Sequence, residues 1–141
     1  MRDESCIFCK IANGEIPSAV VYEDALFRVI LDLGPASKGH ALILPKGHYR
    51  DLTELPEELC GKGFALAGRI GAAMKQGLGA AGFNVVQNNG EAAGQTVFHF
   101  HIHVIPRYEN GPEMVSWIPG SADPTEQRRI ADTLAALLSK E

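Results

Sequence analysis

Three of the five histidines stand at alternate positions in His99-Phe100-His101-Ile102-His103-Val104-Ile105. Side chains alternate faces along an extended strand, so these three imidazoles share one face. Phe98, Phe100, Ile102 and Val104 share the other. Same-face Cα atoms lie about 7 Å apart. The apolar face suits a core, whereas a row of imidazoles has no general use in folding. Three readings of the row are open. It is a solvated outer face; or a metal site, with a further ligand elsewhere and an open position for water; or a nucleophilic centre acting on phosphorus. In the last, one imidazole attacks while its neighbours hold oxygens and move protons. A histidine of ordinary pKa, about 6.5, is mostly neutral at pH 7 and keeps a lone pair on one nitrogen.

Cys6 and Cys9 form a second constellation. Their i, i+3 spacing puts both sulfurs on one face of a helical turn. Alone, the pair is compatible with a redox couple, half of a zinc site or no function. No thioredoxin-like βαβ pattern surrounds it. The third cysteine, Cys60, falls in a helical segment and reads as a small buried residue. In a chain expected to be cytoplasmic, an odd number of cysteines favours reduced thiols.

The elements that position these residues are legible in order. Ser5 is placed to cap a short helix from Cys6 to about Asn13, with Gly14 as its stop. Val20–Glu23 and Phe27–Leu31 read as strands joined by a turn at Asp24. Residues 32–39 are a Gly/Pro/Ser loop, and His40 precedes a buried strand, Ala41–Leu44, that Pro45 ends. Pro56, Glu57 and Glu58 open a long helix, and Gly77-Leu78-Gly79 closes it. Its apolar period runs through Leu59, Gly63, Ala67, Ile70, Met74 and Leu78. Phe83–Gln87 is a fourth strand, residues 88–95 a polar loop, and Val97–Arg107 the fifth strand with all three histidines. Asp123-Pro124-Thr125-Glu126 resembles a capping box. Ile130, Leu134, Leu137 and Leu138 then mark an amphipathic C-terminal helix. Mostly consecutive strands around one long helix argue for an α+β fold with an antiparallel sheet.

The length of 141 residues suggests one domain, 1–141, with a core over 5–108 and an extension over 109–141. A hydrophobic content of 45% and a charged content of 21% are those of a globular protein. The net charge of −4 supplies no basic field for nucleic acid. No apolar run approaches a membrane span, and the polar N-terminus lacks a signal-peptide core.

The stretch Gly94 to Arg107 closely resembles the signature of the histidine triad family, His-φ-His-φ-His-φ-φ with φ apolar. Every motif position matches. Similarity extends to Ile7-Phe8-Cys9-Lys10-Ile11, Glu15-Ile16-Pro17, Glu23-Asp24, Asp32, Gly39-His40, Pro45-Lys46, His48, Asn89-Gly90 and Gly94-Gln95-Thr96. It is weakest beyond Tyr108. The resemblance implies a five-stranded antiparallel sheet with one long helix, flanked here by a short N-terminal helix and a C-terminal helix. It implies a homodimer with a continuous sheet.

The resemblance also implies hydrolysis at the α-phosphate of an adenosine or other purine nucleotide derivative, foremost a phosphoramidate. His101 matches the nucleophile that forms a nucleotidyl-histidine intermediate. His103 matches its phosphate-binding neighbour, and His40 a supporting histidine. Asp32 matches the acceptor of ribose hydroxyls, while Asn88, Gln95 and Thr96 would donate to phosphate. Some bacterial members carry a Cys-x-x-Cys, and the resemblance then assigns Cys6, Cys9, His48 and His99 to a structural zinc ion. That closed site leaves no open position, so the hydrolysis itself would require no cofactor. The same motif serves a dinucleoside polyphosphate hydrolase, or a nucleotide-binding or interaction protein with incidental turnover. Trp117 would either reach a partner's site or pack the C-terminal helix.

Overall fold

The computed structural model describes residues 2–112 and 117–139. Five antiparallel strands form one sheet: β1 (Val20–Glu23), β2 (Phe27–Leu31), β3 (Ala41–Pro45), β4 (Gly82–Val86) and β5 (Ile102–Arg107). Their spatial order is β1-β2-β3-β5-β4, which puts β3 in the middle. All five β3 residues are buried, as a strand covered on both faces requires.

The alternation of side chains splits the core in two. Phe27, Val29, Ala41, Ile43, Ile102 and Val104 face the long helix α2 (Glu57–Leu78) and pack on its Leu66, Ala67, Ile70 and Met74. Ile30, Leu42 and Leu44 face the opposite way and pack on Ala12, Phe8 and Ile11 of the short helix α1 (Ile7–Ala12). The imidazoles lie on this second face, because Leu42 pairs with His103 across β3 and β5. α2 stops at Gly79, whose φ of 71° is the left-handed conformation that ends helices. A Cβ on Gly71 would overlap the Phe83 ring, so this glycine lets α2 settle onto β4.

The elements follow the sequence expectations with several differences. Cys6, not Ser5, caps α1: its Sγ accepts from the Cys9 N–H at 3.4 Å, while Ser5 bonds Asp3. Cys60 is half-buried rather than buried, because it packs on the margin of the core. Leu78, at the end of the α2 period, is exposed. The fifth strand begins at Ile102, so only His103 of the three histidines is on it. The ladder stops because Pro45 has no N–H to give, and its carbonyl accepts the His99 ring N–H at 2.9 Å. Alternation still holds through the lead-in: Phe100 enters the α2 core while His99 and His101 turn the other way. Phe98 is left outside the core. The C-terminal helix α3 (Pro124–Leu138) is capped by Asp123 as expected, yet buries no residue.

Candidate active site

Backbone groups fix the protonation pattern of the site. The His99 carbonyl lies 2.7 Å from His101 Nδ1, and a carbonyl can only accept, so Nδ1 carries the proton. His101 Nε2 is therefore the lone-pair nitrogen of the neutral ring. The Ala36 N–H donates to His40 Nδ1 at 3.0 Å, which leaves the His40 proton on Nε2. That N–H donates to His103 Nδ1 at 2.9 Å. His103 must then carry its own proton on Nε2. One imidazole offers a lone pair, and its neighbour, 5.0 Å away between ring centroids, offers a donor.

The electrostatics keep these rings neutral. Burial pushes His103 down to about 4, with the neighbouring His101 and His40 adding to the effect and Asp32 opposing it. His101 and His40 are lowered for the same leading reason. The His99 carbonyl partly restores His101, and Asp32 partly restores His40. Asp32 Oδ2 stands 3.6 Å from His40 Nε2, while its Oδ1 accepts from the Gly34 N–H at 2.8 Å.

His99 belongs to a different centre. Its Nε2–H is spent on Pro45, so its Nδ1 lone pair faces Cys6 Sγ at 3.5 Å and Cys9 Sγ at 3.4 Å. His48 Nδ1 lies 3.4 Å from Cys9 Sγ. The four ligand atoms all fall within 4.8 Å of one another. A tetrahedral zinc ion with ordinary Zn–S and Zn–N bonds separates sulfur from nitrogen by about 3.6 Å. The S2N2 set thus fits such an ion in geometry and in ligand chemistry. Burial raises the Cys9 thiol and lowers His99 to about 4; a bound dication would draw the thiol proton off.

Asp32, His40 and His103 also converge, but the proton between the two rings makes their contact a hydrogen bond. Among the described residues, His99, His101 and His103 do not converge on a common point for a metal.

The remaining site residues come from the loop after β4. Asn88 turns its amide towards Gly94, and Thr96 is exposed at the loop's end. Gln95 departs from its expected use as a phosphate donor. Its Nε2 donates to the Arg50 and Val97 carbonyls at 2.8 and 3.1 Å, and its Oε1 accepts from the Gly90 N–H at 2.8 Å. The buried side chain holds the loop from inside and has no donor left to offer. Arg107 donates Nε to Asn84 Oδ1 across β4 and β5 at 2.8 Å.

Phe8 was missed as a site residue. Its ring stands edge-on to His101, with centroids 5.0 Å apart and planes at 85°, and it also touches His99. Its sequence signal lay in the Ile7-Phe8-Cys9-Lys10-Ile11 similarity, since neighbours on a helix point about 100° apart and the cysteine spacing does not by itself direct Phe8.

The HIT domain family model matches residues 13–110. The chain belongs to the HIT domain family. This HIT protein is 38% identical over 133 residues to an adenosine 5'-monophosphoramidase of Schizosaccharomyces pombe, covering 94% of this chain and 97% of the relative. A crystal structure of a HIT family member from Bacillus subtilis superposes with a TM-score of 0.87 at 40% identity, over 94% of this chain and 96% of that one. A zinc-bound histidine triad protein of Mycobacterium smegmatis superposes with a TM-score of 0.74 at 40% identity, over 97% and 98% of the two chains. The α+β fold with one long helix is thus the fold of the family.

Proposed function

We propose that this HIT protein is a hydrolase that cleaves adenosine nucleotide derivatives at the α-phosphate, with a phosphoramidate as its preferred substrate. The observation that carries the reading is the His99 carbonyl holding the His101 proton on Nδ1, which leaves Nε2 free to attack. The name of the Schizosaccharomyces pombe relative supports the leaving-group class.

In this mechanism Nε2 of His101 forms a bond to the α-phosphorus as the phosphorus–nitrogen bond to the leaving amine breaks. The amine takes a proton from water and departs. The resulting nucleotidyl-imidazole keeps its Nδ1 proton, so it is cationic and a good leaving group. The hydroxide left by that proton transfer then attacks phosphorus, the bond to His101 breaks, and the nucleoside monophosphate leaves. His103 Nε2–H donates to a phosphoryl oxygen, and His40 keeps that proton in place. Preorganised donors of this sort contribute about 3–4 kcal/mol to a transition state. Asn88 and Thr96 add donors, Gln95 shapes the loop that presents them, and Asp32 accepts from the ribose hydroxyls.

Cys6, Cys9, His48 and His99 hold a zinc ion in this reading; when bound it ties α1 to the active strand. The zinc-bound mycobacterial neighbour supports that assignment. The whole chain acts as one domain in a cytoplasmic homodimer, its sheet extended through an edge strand. Among the described residues no helix is long and apolar enough to cross a membrane.

The test offers adenosine phosphoramidate and diadenosine polyphosphates to the wild type and to His101→Ala. The wild type should cleave the phosphoramidate faster. The variant should lose about 10⁴-fold or more of that rate, with its zinc content unchanged. Faster cleavage of the polyphosphates would move the assignment to a dinucleoside polyphosphate hydrolase. Binding without cleavage of either would make the protein a nucleotide-binding module. Zinc lost with His101 would place that residue in the metal site.

A further inference from the structure

Among the described residues His101 makes one hydrogen bond, from Nδ1 to the His99 carbonyl at 2.7 Å. That bond decides which nitrogen carries the proton. It lies near the root of the ring, so it leaves the ring plane free to rock and the far nitrogen, Nε2, free to swing. An attacking atom misplaced by about 1 Å costs about 100-fold in rate. Something besides the carbonyl must hold the plane.

Two rings touch it. His103 comes from the same run of chain, with centroids 5.0 Å apart and planes at 64°. It is itself anchored by His40 at 2.9 Å. Phe8 comes from the layer above, with centroids 5.0 Å apart and planes at 85°, an arrangement in which the edge of one ring meets the face of the other. The anchor of Phe8 is α1, whose six residues are too few to stay helical alone. The end of α1 is tied to the sheet by Ala12, buried with Ile30, Leu42 and Leu44, and by the Asn13 amide on the Lys46 carbonyl at 3.1 Å. Its start, which carries Phe8, is tied through sulfur. Cys6 and Cys9 bracket Phe8, and their Sγ atoms stand 3.5 and 3.4 Å from His99 Nδ1. Phe8 also meets the ring of that same His99, at 6.1 Å between centroids. The two centres thus share His99, which turns Nδ1 to the sulfurs and its carbonyl to His101, and Phe8 spans both rings.

We propose that Phe8 is a positioning residue for the nucleophile, and that the cluster of Cys6, Cys9, His48 and His99 sets its place, so that a metal ion in the cluster is felt at His101. With the ion bound, the start of α1 is fixed and the Phe8 ring is held against His101. Without it, Phe8 loses its seat and Nε2 its direction. The proposal rests on the reading of His101 as the nucleophile and adds to it what aims that residue.

The decisive variant is Phe8→Leu, which keeps an apolar side chain in the packing of α1 but removes the ring. Its zinc content, its KM and its Kd for adenosine monophosphate should stay within about twofold of the wild type, while kcat on adenosine phosphoramidate falls at least about tenfold. Nitrogen NMR of the imidazoles gives a readout independent of turnover. Wild-type His101 should show the Nδ1–H tautomer alone, and zinc-loaded Phe8→Leu a mixture of both tautomers. Stripping zinc from the wild type with a chelator should produce the same two changes, and returning zinc should reverse them. Stripping zinc from Phe8→Leu should lower kcat no further. His40, whose tautomer the Ala36 N–H fixes, reports in the same spectra that the fold persists. Ile7→Ala, at an exposed neighbouring position of α1, should match the wild type throughout. Weaker binding of adenosine monophosphate with kcat unchanged would make Phe8 a contact for the nucleotide and overturn the proposal. A single His101 tautomer in zinc-loaded Phe8→Leu would overturn it too. An equal loss on zinc removal with and without the Phe8 ring would show that the metal acts by another route, and the coupling would fall. A wild type that cleaves neither adenosine phosphoramidate nor diadenosine polyphosphates would sink the reading of the reaction, and the tautomers would still decide on Phe8.

Discussion

Three of the five histidines are defined by the backbone group each one meets. His101 faces the His99 carbonyl, His99 faces the Pro45 carbonyl, and His40 faces the Ala36 N–H. Residue types and spacing put the imidazoles together, but backbone partners assign the proton to one nitrogen or the other. That is why the division of labour was visible in sequence only through family resemblance. Gln95 shows the same limit, because its three backbone partners are set by loop geometry. The neutral state of His103 has a consequence for stability. Its native pKa is about 4, against an ordinary value of 6.5. Between those values the unfolded chain binds more protons, so stability rises with pH across that window. The contribution of the neutral ring is complete above about pH 6.5 and is lost as pH falls through about 4. The groups facing it are His101, His40 and Asp32. Urea midpoints measured from pH 7.5 downwards should therefore fall more steeply for the wild type than for His103→Asn. Equal slopes would show that His103 titrates normally in the native protein.

Among the elements, α2 was the most legible. Proline, two glutamates and a terminal glycine are local signals, and the helix follows them to within a residue. Strand β5 was the least, since its first residue is decided by Pro45 on another strand. Residues 113–116 of the expected extension lie outside the described residues. Gly71 shows how close packing overrides propensity. Alanine would favour the helix by about 1 kcal/mol, but its methyl would enter the Phe83 ring. Overpacking costs about 1–3 kcal/mol, so Gly71→Ala should lower the unfolding free energy. In a Phe83→Leu background the obstructing ring atoms are gone. There the same substitution should become neutral or stabilising, a coupling that denaturant titration of the four proteins resolves. A simple additive cycle would mean that Phe83 is not what requires the glycine.

At the scale of the molecule, the sheet divides tasks between its faces. One face meets α2 and contains the larger cluster of buried side chains. The other carries the histidines and receives α1, whose six residues are too few to stay helical without it. Ile43 and Leu44 are sequence neighbours in β3, both fully buried, yet they serve opposite faces. Ile43→Val should cost about 0.5–1.5 kcal/mol and Leu44→Ala about 2–5 kcal/mol. Stability alone would not distinguish the faces, because the second change deletes more. Metal affinity does. Leu44 packs with Ala12, so its truncation loosens the seat of α1 and with it the position of Cys6 and Cys9 relative to His48 and His99. Leu44→Ala should therefore release zinc to a competing chelator at lower chelator concentration than the wild type, with both proteins still folded. Ile43→Val should hold zinc like the wild type. It should also keep kcat and KM, since its missing methyl lies on the α2 side of the sheet. Equal zinc retention by Leu44→Ala and the wild type would show that the four ligands, rather than the packing of α1, hold the cluster together.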